Sequence, residues 1–90
     1  MKKRDKYEIV ADILSILDKE GPMRKTSIAG KSKLDTRMLD RYIRMLLDAK
    51  LIDKDKYDHR LFTITDNGRR YIMLYNSIKS MLSHHEFNLY

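Results

Sequence analysis

Cysteine is absent from the chain, and long apolar runs are absent with it. Without cysteine there is no disulfide, no thiolate zinc site and no cysteine nucleophile. The first apolar segment is interrupted by Glu8, Asp12 and Asp18, so we expect neither a signal peptide nor a membrane span. These absences together favour a cytoplasmic protein.

The residue patterns of an enzyme site are also missing. The three histidines, His59, His84 and His85, are accompanied by no cysteine and by no spaced set of carboxylates. The three glycines are scattered and form no phosphate-binding loop. We therefore expect no enzymatic activity, no metal and no cofactor.

Positive charge is what the chain has in excess. Nineteen Lys and Arg residues stand against thirteen Asp and Glu residues, for a net charge of +6. A small basic protein favours a polyanionic partner, either nucleic acid or an anionic membrane. Ninety residues are enough for one domain only.

Apolar residues recur at helical spacing in the first half of the chain. Residues 7–19 predict a first helix that ends at Gly21 and Pro22, and residues 24–31 predict a short second helix. A turn at Ser32 and Lys33 follows. The clearest amphipathic helix covers residues 35–50, begins with Asp35 as its N-cap, and has an apolar stripe of Leu39, Ile43, Leu46 and Leu47.

The second half of the chain changes its period. Two β-prone runs, residues 51–54 and 61–64, flank a polar segment and predict a hairpin with a long loop, which we call the wing. Thr65 is a good N-cap for a final helix over residues 66–86. The predicted fold class is mainly α with a small β-hairpin, a winged helix-turn-helix over residues 7–65. A flexible basic tail (residues 1–6) precedes it, and a C-terminal dimerisation helix (residues 66–90) follows it.

The third predicted helix places three arginines opposite its apolar stripe. Arg37, Arg41 and Arg44, here called the arginine column, lie at i, i+4 and i+7. Arginine can bond guanine O6 and N7 together, and a helix-turn-helix unit puts such a helix in the major groove. The same column is also typical of a solvated face, because Asp40 and Asp48 lie within pairing distance along the helix. The turn before this helix and the hairpin after it favour a recognition helix.

Double-stranded DNA is thus the predicted partner. The predicted contacts from the turn and the third helix are Lys33, Thr36, Arg37, Asp40, Arg41 and Arg44. Those from the wing are Lys54, Lys56, Tyr57, His59 and Arg60, for phosphate or minor-groove contact. Hairpin tips are polar in any case, and three aspartates reduce the local charge of this one, so both interpretations of the wing remain open.

The final predicted helix has a seven-residue apolar rhythm. Its stripe either packs on the domain itself or pairs with a second copy of the chain. We favour a homodimer, because the first and third helices already supply apolar surface for the core. The predicted interface consists of Tyr71, Leu74, Tyr75, Ile78, Met81, Leu82 and His85.

Two motifs of the chain resemble a known family. They are Leu34-x4-Leu39-x2-Tyr42-Ile43-x2-Leu46-x4-Leu51-Ile52 and Phe62-Thr63-Ile64-Thr65-x2-Gly68-x2-Tyr71. This pattern is similar to archaeal winged-helix regulators, above all the small Sulfolobus-type DNA-binding proteins with a C-terminal dimerisation helix. The resemblance implies a homodimer that binds DNA in transcription regulation or chromatin organisation, in an archaeon or an archaeal virus. It also implies groove-facing roles for Thr36 and the arginine column.

The main alternative is a protein-interaction module built on the same scaffold. Charge distribution separates the two functions. If the arginine column and the wing present unneutralised positive charge, DNA is favoured; if Asp40, Asp48 and the wing aspartates neutralise it, protein binding is favoured. An RNA-binding role is third, because the chain lacks the paired aromatic platform of single-strand readers.

Overall fold

The computed structural model describes residues 4–83, which form four helices and three strands. The elements are α1 (Lys6–Glu20), β1 (Met23–Arg24), α2 (Lys25–Ser32), α3 (Thr36–Asp48), β2 (Ile52–Lys54), β3 (Leu61–Ile64) and α4 (Asp66–Leu82). The predicted fold class, mainly helical with a hairpin before a long final helix, is confirmed. No helix within the described residues is long and apolar enough to cross a membrane.

The sheet has one strand more than the predicted hairpin. Its order is β1-β3-β2, and every pairing is antiparallel. Met23 pairs with Phe62, so the segment after α1 lies along the base of the wing. The prediction of Arg24 as a helical residue was wrong. A two-residue strand has no detectable period, and its partner strand comes much later in the chain.

One apolar core joins α1, α2, α3 and the three strands. Leu39, Ile43 and Leu46 of α3 are buried, which confirms most of its predicted stripe, and Leu47 is half-buried. Tyr7, the first residue of the apolar pattern that predicts the first helix, is 61% exposed. The buried core comprises Ile9, Val10, Ile13, Leu14, Leu17, Met23, Ile28, Leu34, Leu39, Ile43, Leu46, Ile52 and Ile64.

Side-chain caps determine where three helices begin. The Asp35 carboxylate accepts the Met38 N–H at 2.8 Å, and the Thr65 hydroxyl accepts the Gly68 N–H at 3.0 Å, as the sequence predicted. The Thr65 hydroxyl also donates to the Lys50 carbonyl at 2.7 Å. The start of α4 is therefore tied to the chain that leaves α3.

The N-terminal segment belongs to the domain from Arg4 onward. The Arg4 guanidinium donates to Asp12 Oδ2 at 2.9 Å and to the Ser32 carbonyl at 2.8 Å, which joins α1 to the end of α2. Asp5 caps α1, whose first residue is Lys6. Arg4, Asp5 and Lys6, which the sequence assigned to a flexible tail, thus contact or belong to α1, while residues 1–3 lie outside the described part.

Candidate nucleic-acid interface

The turn between α2 and α3 sets the orientation of α3. Lys33, in the left-handed region at φ 59°, ends α2, and the buried Leu34 inserts into the core directly after it. Ser32 was predicted in the turn but is the last residue of α2, where its buried hydroxyl donates to the Ile28 carbonyl at 2.6 Å. Because Leu34 is buried and Asp35 caps the next helix, α3 leaves the turn in a defined direction.

The arginine column lies on the outer face of α3 with all three side chains exposed. No carboxylate of residues 4–83 forms an ion pair with Arg37, Arg41 or Arg44. Asp40 instead pairs with Lys25 at the start of α2, with Nζ and Oδ1 2.7 Å apart. The pairing of the arginine column with Asp40 or Asp48, which the solvated-face interpretation allowed, is absent from the described residues. The three positive charges are therefore available to a partner.

The remaining predicted residues of this region are placed around the column. Thr36 is exposed in the first turn of α3, and Lys33 is exposed just before it. Asp40 is half-buried, and its carboxylate links α3 to α2 through Lys25. The ion pair between Lys25 and Asp40 was not predicted from the sequence, because it is a tertiary contact between two helices.

An apolar strip beside the column was also missed. Met38, Tyr42 and Met45 line a shallow depression of about 250 Å³ together with Arg41 and Lys6. The signal was present in the sequence, because these three residues repeat at i, i+4 and i+7 just as the arginines do. Lys6 adds a further cation at the edge of the same surface.

The loop of the wing is organised by its own aspartates. Asp55 Oδ2 accepts the backbone N–H groups of Tyr57 and Asp58, each at 3.0 Å. Such side-chain turns replace the Asn-Gly pair that a tight hairpin would need. The predicted long loop between the two wing strands is confirmed. The loop presents exposed side chains at its surface, with Tyr57 94% exposed, beside Lys54, Lys56 and His59.

Arg60 is the wing residue whose charge is compensated within the wing. Its Nε and one terminal nitrogen donate to the two carboxylate oxygens of Asp58 at 3.0 and 2.9 Å. Hydrogen bonds from the Arg60 side chain, together with a weaker contribution from the Arg60 backbone N–H, lower the pKa of Asp58 to about 2. Asp58 therefore stays ionised and holds Arg60 at ordinary pH.

Helix α4 has two parts with different surroundings. Near its start, the Tyr71 hydroxyl donates to the Tyr7 carbonyl of α1 at 2.8 Å, and burial raises the pKa of Tyr71. Farther along, the other predicted interface side chains are exposed, except for the half-buried Tyr75. An apolar groove of about 470 Å³ joins the two parts, lined by Tyr7, Tyr71, Leu74, Tyr75 and Ile78. His85 lies outside the described residues.

A family model matches all of the residues that the structure describes. The model is described as "Winged helix-turn-helix" and covers residues 3–83. Among curated proteins, the HTH-type transcriptional regulator TcaR of Staphylococcus aureus (strain Newman) is 34% identical over 84 residues, covering 83% of this chain and 55% of that protein. The chain thus spans about half the length of the curated relatives it matches.

Solved structures show the same fold. The transcriptional repressor CouR, bound to p-coumaroyl-CoA, superposes with a TM-score of 0.70 at 18% identity, covering 97% of this chain and 59% of that one. NMB1585, a MarR family regulator from Neisseria meningitidis, superposes with a TM-score of 0.63 at 21% identity, covering 91% of this chain and 61% of that one. A MepR-like protein complexed with pseudoligands has a TM-score of 0.63 at 27% identity, covering 84% of this chain and 60% of that one. The organisms named here give no support to the archaeal origin inferred from the motifs. From the family match over residues 3–83, the chain belongs to the winged helix-turn-helix family.

Proposed function

We propose that this chain is a transcriptional regulator of the MarR type that binds double-stranded DNA. The observation that carries the proposal is the arginine column, which is exposed and unpaired within residues 4–83. Among the proteins similar to this chain, TcaR is named as an HTH-type transcriptional regulator, CouR as a transcriptional repressor and NMB1585 as a MarR family regulator. The unneutralised charge favours a nucleic acid over a protein partner.

In this proposal α3 enters the major groove. The arginine column reaches base edges or phosphates from the exposed face, and Thr36 adds a hydroxyl at the N-terminal end, where recognition helices approach the bases. The pair between Lys25 and Asp40 keeps a carboxylate away from the DNA. The wing then contacts the adjacent backbone or minor groove through Lys54, Lys56, Tyr57 and His59.

The second part of the proposal is a homodimer formed through α4. Leu74, Ile78, Met81 and Leu82 are each more than half exposed, and the groove beside Tyr7 continues their apolar surface onto α1. Exposed apolar patches of this kind mark interaction surfaces. A two-fold axis through α4 would place two recognition helices at successive major grooves, about 34 Å apart.

DNA binding is tested by a mobility shift on duplex DNA over a salt series. Release of counterions from the phosphates makes affinity fall steeply as salt rises. The double variant Arg37→Ala/Arg41→Ala should bind at least about tenfold more weakly, since one bidentate arginine contact to a base contributes about 1–3 kcal/mol. Unchanged binding by this variant would contradict the placement of α3.

The control removes the same charge elsewhere. Arg69→Ala/Arg70→Ala also lowers the net charge by two, but both residues lie on α4, where Arg69 pairs with Asp18 and Asp66. If the proposal holds, this variant keeps the affinity of the wild type within about threefold, a range that surface charge alone explains. An equal loss in both double variants would show general electrostatic attraction without a recognition helix.

Sedimentation tests the dimer. The wild-type chain should sediment as a dimer at micromolar concentration, and Ile78→Asp should make it monomeric, because a carboxylate would be buried in an apolar interface. Met73→Asp is the matched control, since Met73 is an exposed residue on another face of α4. A monomeric wild type would rule out α4 as a self-sufficient interface of this chain.

A further inference from the structure

The apolar strip of α3 is a surface that the proposed function leaves unexplained. Met38, Tyr42 and Met45 share one side of the helix, next to the arginine column. Met38 is 43% exposed in the first turn, while Tyr42 and Met45 are half-buried and pack against the core. The outermost member of the strip therefore stands at the end of α3 that approaches the bases.

The charges around the strip indicate its partner. Arg41 and Lys6 line the same depression as the three apolar side chains. A purely apolar partner would have to remove both cations from water without compensation, which is costly. The major groove combines what this surface needs, because phosphates flank it and thymine presents a 5-methyl group there as its apolar feature.

We propose that Met38 is a specificity-determining residue that contacts the 5-methyl group of a thymine. The inference rests on the proposed function, because it requires α3 to lie in the major groove. Methionine suits the contact, since its unbranched thioether side chain adapts to irregular apolar surfaces. The chain would then prefer a thymine next to the base or phosphate that the arginine column engages.

The test compares two versions of one duplex. A tight-binding duplex is selected from a random pool with the wild-type chain, and each thymine in turn is replaced by deoxyuracil, which lacks only the methyl group. We expect at least one position where the wild type binds thymine about fourfold more tightly than deoxyuracil, the value for burial of one methyl-sized group. Met38→Ala should bind the two versions equally.

Two further variants separate contact from general effects. Met73→Ala removes another exposed methionine, from α4, and should keep the thymine preference. Met38→Leu preserves an apolar side chain and should keep most of it. Circular dichroism on each variant shows whether it is folded.

Three outcomes would count against the inference. Equal wild-type binding to thymine and deoxyuracil at every position overturns it, and so does a thymine preference that survives in folded Met38→Ala. A wild-type chain that selects no duplex from the pool overturns the proposed function and this inference with it. The first two results leave DNA binding itself in place, so the two failures are distinguishable.

Discussion

The arginines of α3 and the arginine of the wing all have aspartates close by in the sequence, yet only the wing arginine is paired with one. The arginine column is unpaired within residues 4–83. Asp40 forms its ion pair with Lys25 instead, and Asp48 joins no ion pair in the part of the chain that the structure describes. In the wing, by contrast, both carboxylate oxygens of Asp58 accept hydrogen bonds from the Arg60 guanidinium. Spacing along the chain therefore does not by itself determine pairing: Asp40 has a tertiary partner in Lys25, whereas Asp58 pairs with an arginine two residues away.

This difference suggests different tasks for the two surfaces. An unpaired guanidinium can direct its full set of donors at a base edge, which gives sequence discrimination. A wing whose aspartates shape the loop and compensate Arg60 has mainly its lysines left for phosphates, which give affinity without discrimination. We therefore expect α3 to determine which sequence is bound and the wing to determine how tightly any duplex is held.

The largest effect should come from comparing single charge removals on the two surfaces. Arg41→Ala should weaken binding to a selected duplex about 10- to 100-fold and reduce discrimination at one base position. Lys56→Ala should weaken binding by a small factor that is the same for every duplex sequence. It should also lower the slope of log affinity against log salt by about one. Binding isotherms on selected and scrambled duplexes provide both numbers.

The comparison fails if the two variants behave alike. Loss of discrimination in Lys56→Ala would give the wing a direct role in reading bases. Uniform weakening in Arg41→Ala would make the arginine column a phosphate-binding surface.

The next effect concerns the joint that positions the wing against the helices. Gly68 lies in the first turn of α4, and an added Cβ would overlap the Leu51 carbonyl oxygen and the Ile64 side chain at the base of both wing strands. Gly68→Ala should therefore lower the free energy of unfolding by about 1–3 kcal/mol, as overpacking does. Urea denaturation followed by circular dichroism measures the change.

Gly30→Ala is the matched control for this joint. Gly30 lies in α2 with nothing within 4 Å of the position of a Cβ. Because alanine is the better helix former, this variant should gain about 0.5–1 kcal/mol of stability. If Gly68→Ala is as stable as the wild type, the close approach of α4 to the wing is not a constraint.

The features predicted from sequence are those determined by neighbours along the chain. The stripe of α3, the caps at Asp35 and Thr65 and the two wing strands are local patterns, and all are present. The third strand, the anchoring of Arg4 and the partner of Asp40 depend on residues far away in sequence. No periodicity encodes such pairs, so α3 and its exposed arginine column were predictable from the sequence, but the ion pairs around them were not.

A smaller effect should follow from releasing Asp40. In Lys25→Ala the Asp40 carboxylate loses its partner and can turn towards Arg37 or Arg44, which lie three and four residues away on the same helix. Duplex affinity should fall about twofold, the size of one such helical pair. Fluorescence anisotropy with a labelled duplex at low salt can resolve a change of this size.

The double variant Lys25→Ala/Asp40→Ala separates this effect from a direct lysine contact. Once the carboxylate is gone, affinity should return to the wild-type value or exceed it. A double variant as weak as Lys25→Ala would instead mean that Lys25 itself binds a phosphate.

The smallest effect is the pH response of the wing pair. Asp58 has a pKa of about 2 in the folded chain, below its usual value of 3.8, because Arg60 donates to its carboxylate. A lowered folded pKa means that the pair stabilises the loop fully above about pH 4 and that this contribution is lost as the pH falls towards 2. Arg60→Ala should return the pKa of Asp58 towards 3.8, which a carboxyl NMR titration can follow, whereas Arg37→Ala on α3 should leave it unchanged.

If Asp58 titrates at its usual value in the wild type, Arg60 is not held, and the wing would present a free arginine as α3 does. A low value means that at every pH at which duplex DNA is stable the wing arginine is already compensated, so the difference between the two surfaces does not depend on pH.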